Sequence, residues 1–113
     1  MKGILKIKEG TFKVRDRDIS EIEYDFDGIT TAQYLKAMEA GADGKMHDTV
    51  LYISPEQAFG LFTYAARVKD AAPKDFYRLS VEDAIAAEML GRSFFQDTVI
   101  RRFLPQKSSE KKS

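Results

Sequence analysis

The sequence predicts an α+β fold: a small N-terminal antiparallel hairpin or meander followed by three to four α-helices. Three observations carry that prediction. Apolar and charged residues alternate strictly in TFKVR and in EIEYDFD, helix-start signatures stand at Thr30 and Ser54, and a third start at Ser80 opens a final helix reaching about Leu104. Residues 1–104 read as a single domain and residues 105–113, PQKSSEKKS, as a disordered polar tail.

The strands come first. In TFKVR, Phe12 and Val14 point one way and Lys13 and Arg15 the other. In EIEYDFD, Ile22, Tyr24 and Phe26 share one face, with Glu21, Glu23, Asp25 and Asp27 on the other. The intervening RDRD is expected to turn a hairpin between these two strands. A preceding ILKIK strand, with Leu5 and Ile7 inward and Lys6 and Lys8 outward, extends the hairpin to a meander.

Gly28 ends the last strand and a helix begins at once. Thr30 and Gln33 have capping-box spacing, Ile29 and Tyr34 the spacing of a hydrophobic staple, and Tyr34, Leu35 and Met38 one apolar stripe. Gly41 is placed to end this helix. GADGKMHD reads as a loop and TVLYI as a short strand or extended lead-in. Ser54 then caps a second helix with Pro55 in its first position; this helix is expected to fade at Lys69–Asp70. Gly60 inside it costs about 1 kcal/mol relative to alanine, which predicts close packing against another element. Pro73 and the turn KDFYRL lead to Ser80, with Asp83 three positions on, and the final helix.

Composition narrows the function classes. Eighteen basic and eighteen acidic residues cancel, which argues against a non-specific nucleic-acid binder. The absence of cysteine removes disulfides, thiolate zinc sites and a cysteine nucleophile. No apolar run is long enough for a membrane span, and the lysine-interrupted N-terminus does not read as a signal peptide. Alternate carboxylates on one strand lie about 6.5–7 Å apart, too far to share one cation, so the four acids read as a charge ladder against Lys13 and Arg15, with Lys6 and Lys8 beyond. His47, the single histidine, sits between Asp43 and Asp48 in what reads as a solvated loop. No serine occupies a G-x-S-x-G frame and no glycine-rich phosphate loop is present. The chain is expected to be no enzyme and to hold no cofactor or metal.

The apolar residues say more. Along the last helix Ile85, Met89, Leu90, Phe94, Phe95, Val99, Ile100, Phe103 and Leu104 point to most sides. A domain this small has little chain with which to surround such a helix, so part of it is expected to meet another chain. Phe59, Phe62 and Tyr64 cannot all face one way; two of the three are expected in the core and the third is a candidate contact.

The pattern resembles the tail assembly chaperones of long-tailed bacteriophages and prophages. The likeness rests on the acidic strand and corner YDFDGIT, the serine-proline-capped SPEQAFGLFTYAARV, the proline-containing linker and LSVEDAIAAEMLGRSFF, together about residues 10–104. GADGKMHDTVLY departs from it. The resemblance implies a non-enzymatic protein that binds the tape-measure protein, keeps it soluble, helps recruit tail-tube subunits, self-associates, works in the cytoplasm of the bacterial host and leaves the finished tail. The expected contact residues are Phe94, Phe95, Val99 and Phe103, supported by Phe59 and Phe62. Two other classes remain beside it, a tail-completion protein of the virion and a small regulatory protein-binding module.

Overall fold

The computed structural model describes residues 1–39 and 53–103, and of Phe103 the backbone only. The Gly41 cap, the His47 loop, most of TVLYI, Leu104 and the polar tail lie outside the described residues. The fold is α+β, an N-terminal antiparallel sheet followed by helices. Its strands are β1 (Lys2–Lys6), β2 (Lys13–Val14), β3 (Arg17–Asp18), β4 (Glu21–Asp25) and β5 (Ala66–Arg67). Its α-helices are α1 (Thr31–Glu39), α2 (Pro55–Ala65) and α3 (Val81–Phe103), with 3₁₀ turns at Phe26–Gly28 and Pro73–Arg78.

The strands pair differently from the sequence expectation. TFKVR does not pair with EIEYDFD. β4 pairs antiparallel with β1, setting Lys6 opposite Glu21 and Lys2 opposite Asp25. β2 pairs instead with β3 in a small inner hairpin, with Val14 opposite Arg17. The turn is therefore only Arg15–Asp16, both at positive φ, 51° and 67°. Two central residues of that hand match the right-handed twist of the flanking strands. The acidic face of β4 accordingly meets Lys6 (Lys6 Nζ to Glu21 Oε2, 3.5 Å), and Lys13 and Arg15 belong to the inner hairpin. The expected alternation holds: Ile22 and Phe26 are buried and Glu21 and Glu23 exposed.

The corner after β4 takes one step more than expected. Asp25 Oδ1 accepts the Asp27 N–H at 3.0 Å and caps the 3₁₀ turn before α1 begins. Thr30 and Gln33 then close the capping box in both directions, at 3.1 and 3.0 Å. Ser54 and Gln57 do the same for α2, at 3.1 and 2.9 Å, and Gln57 Nε2 also donates to the Met38 carbonyl at 2.8 Å, tying the end of α1 to the start of α2. α2 stops at Ala65, four residues before the sequence expectation. Ala66 turns extended and β5 joins the free edge of β4, with Ala66 opposite Tyr24. Two ladder positions and burial of the preceding face outweigh the helix propensity of Ala66.

The core lies between the sheet, α2 and the first half of α3. Phe26 contacts Tyr24, Phe62 and Phe94, and Phe76 contacts Phe12 and Phe62, in one connected set of rings. Two glycines fix the helix crossings. A Cβ on Gly60 would stand 3.3 Å from the Ala37 Cβ of α1, the close packing expected from the sequence. A Cβ on Gly91 would stand 2.9 Å from the Ala58 carbonyl carbon and nearer still to its oxygen, so α2 and α3 cross in backbone contact there.

Candidate partner-binding surface

α3 starts with a cap that reaches across the molecule. Ser80 Oγ accepts the Asp83 N–H at 3.2 Å and donates to Asp83 Oδ2 at 3.0 Å, and the same carboxylate oxygen accepts the Lys8 N–H at 3.1 Å. Asp83 therefore fixes both the first residue of α3 and its distance from the end of β1. Further along, Arg92 pairs with Glu88 one turn back and donates to the Ile53 carbonyl at 2.8 Å, which holds α3 against the entry to α2. With the crossing fixed at Gly91 and ties at Asp83 and Arg92, the rotation of α3 about its axis is set.

That rotation turns Asp83, Ala87 and Gly91 inward and leaves an apolar stripe outside. Val81 is 75% exposed, Ile85 52% and Met89 59%. Their spacing of four residues puts them on one face of the helix. Tyr77, on the 3₁₀ turn before α3, is 66% exposed and stacks on Phe59 of α2 with ring centroids 5.5 Å apart. Phe59, Tyr77, Val81 and Ile85 line an open groove of about 450 Å³ between the start of α2 and the start of α3, with Glu56 and Glu88 at it. A continuous apolar strip of this kind is what a soluble chain ordinarily covers with another one.

The residues expected from sequence to make the contact are placed as follows. Phe59 is half-buried and forms one wall of the groove. Phe62 is fully buried among Tyr24, Phe26 and Phe76, and is a core residue. Of the three α2 rings only Phe62 is fully buried; Phe59 and Tyr64 both pack half-buried against the core, and Phe59 is the one that also lines the groove. Phe94 stacks on Phe26 at 4.9 Å, and Phe95 packs half-buried against the core. Val99 is 7% exposed and is likewise a core residue. The side chain of Phe103 lies outside the described ones. The groove thus unites Phe59 with Tyr77, Val81 and Ile85, and Met89 continues the exposed stripe of α3 beyond it; sequence reasoning did not name these four as the contact residues. A signal for three of them was present in the spacing of Val81, Ile85 and Met89.

Other chemistry is sparse among the described residues. No group of three or more histidine, cysteine or acidic side chains is placed to hold a metal ion there. The Ala72 N–H, donated to Asp75 Oδ2 at 2.7 Å, and the Arg78 guanidinium 3.4 Å from the other oxygen hold the Asp75 carboxyl below its ordinary range; both contacts brace the turn that carries Tyr77. No described helix is long and apolar enough to cross a membrane. Set against family models, curated proteins and solved structures, the chain matches none.

Proposed function

We propose that the chain is a non-enzymatic assembly chaperone that covers the apolar face of a long helical protein, in the manner of the tail assembly chaperones it resembles in sequence. Its partner in that reading is a tape-measure protein, and holding it soluble allows tail-tube subunits to be recruited around it in the host cytoplasm. The observation that supports this is the exposed strip formed by Tyr77, Val81, Ile85 and Met89 beside Phe59. Three apolar residues at four-residue spacing next to a stacked aromatic pair form a surface on which a partner helix docks through its own i, i+4 and i+7 positions. Each covered methylene contributes roughly 0.8 kcal/mol. Contacts too weak to hold one segment add up when several copies line a long partner.

Co-expression with a tape-measure protein tests the reading. The expected result is that the partner, insoluble alone, is recovered in the soluble fraction as a complex with the chain. A partner that stays insoluble beside a soluble, folded chain overturns it.

A further inference from the structure

We propose that the groove takes a helix whose apolar face is bordered by lysine or arginine, and that this helix belongs to a different protein rather than to a second copy of the chain. The proposal rests on the helix-covering reading and specifies the chemistry of the partner. At about 100° per residue, Glu82 lies about 60° to one side of Ile85 and Glu88 about 60° to the other, with Val81 and Met89 between them. The apolar stripe on α3 is therefore bordered by the exposed Glu82 on one flank and by Glu88, ion-paired with Arg92, on the other. Glu56 adds a second exposed carboxylate on the α2 side of the groove. The two arginines nearest in sequence are engaged within the molecule. Arg92 is bound to Glu88 and to the Ile53 carbonyl, and Arg78 is bound to Asp75 and to the Lys13 carbonyl. An apolar strip with an acidic border favours a partner with the same apolar spacing and a basic border.

The same pattern disfavours a second copy on this face. A second copy brings to either an antiparallel or a parallel pairing only the same borders, Glu82 and the ion-paired Glu88 and Arg92. It therefore lacks the basic border that would complement Glu56 and Glu82. The self-association expected from sequence would have to use another surface.

Two synthetic peptides of about 20 residues, long enough to form helix, test the proposal against the full chain. Both carry leucine at i, i+4 and i+7 through their length; one has lysine and the other glutamate at the flanking positions. Fluorescence anisotropy should show the lysine peptide binding about tenfold more tightly in low salt, with the difference shrinking as salt screens the border. Exchanging the border with E56K and E82K together should reverse the preference, and Met89→Asp should abolish binding of the lysine peptide. Equal affinities, or a preference for the glutamate peptide, overturn the charge assignment. Binding that survives Met89→Asp overturns the α3 stripe as the site. A wild-type dimer dissociated by Met89→Asp overturns the exclusion of a second copy. If neither peptide binds while a co-expressed tape-measure protein is still held in solution, this partner chemistry falls and the chaperone reading stands; if the co-expressed protein also precipitates, both fall.

Discussion

Replacing Gly91 with alanine sets two effects against each other. Helix propensity alone favours the change, because alanine in a helix interior is better than glycine by about 1 kcal/mol. Packing opposes it. The new Cβ would stand 2.9 Å from the Ala58 carbonyl carbon and 3.5 Å from its Cα, with the carbonyl oxygen closer than either. Carbon–carbon contacts are optimal at about 3.5–4.0 Å, so relief requires α2 and α3 to separate by several tenths of an ångström or more. The Ala58 atoms it meets are backbone and the Cβ itself has no rotamer, so no side-chain movement relieves the clash. Overpacking of this kind costs about 1–3 kcal/mol, and a gap of 0.5–1 Å forfeits about a quarter to a half of the dispersion well along the interface. The expected net effect is destabilisation by about 2 kcal/mol, roughly 10 °C in Tm for a chain of this size. Urea unfolding followed by circular dichroism measures it. A Gly91→Ala protein as stable as wild type, or more stable, would refute the claim that the helices meet in backbone contact at this residue. Gly60→Ala is the control: its Cβ would meet Ala37 at 3.3–3.4 Å, so a small change of either sign is expected there.

Three more outcomes follow from contacts described above. Asp83→Ala removes an acceptor from the Lys8 N–H and from the α3 cap and should cost about 1–3 kcal/mol, whereas Asp83→Asn keeps an acceptor oxygen and should cost less; equal losses in thermal melts would contradict the role of that oxygen. Val99→Asp should destabilise by about 3 kcal/mol or more, while Met89→Asp on the same helix should stay within about 0.5 kcal/mol of wild type. The reverse order would mean that the exposed and buried faces of α3 are exchanged. The native Asp75 carboxyl binds protons less readily than in the unfolded chain, where its value is 3.8. Its contribution is therefore present above that pH and lost as pH falls through the lowered native value. The stability difference between wild type and Asp75→Asn should be constant from about pH 7 to 5 and shrink below about pH 4; a difference that grows in acid would contradict the assigned cause.

Local signals in the sequence were read with more success than long-range ones. Both capping boxes, at Thr30–Gln33 and Ser54–Gln57, are complete within four residues and form as written. The inward set Ile22, Tyr24 and Phe26 is fixed by alternation alone. Strand partners are not local. RDRD reads as a turn, but that β4 passes over the inner hairpin to reach β1, and that Ala66 leaves α2 to pair with Tyr24, depends on which edges are free in three dimensions. The contact surface was hidden for a related reason. α3 is apolar on most sides, so periodicity cannot say which side is covered; that is decided by the Gly91–Ala58 crossing and by Phe94 stacking on Phe26. Those two contacts turn Phe94 inward and leave Val81, Ile85 and Met89 outside. Gly91 itself carries the same signal as Gly60, a glycine inside a helix, and marks the tighter crossing.

Hydrogen exchange of the chain alone and in complex with a tape-measure protein tests the central claim most directly. New protection is expected at residues 55–59 and 77–89, on the walls of the groove, with the remaining amides unchanged. Protection confined to the open edge of β1, or no difference between the free and bound chain across α3, would contradict it.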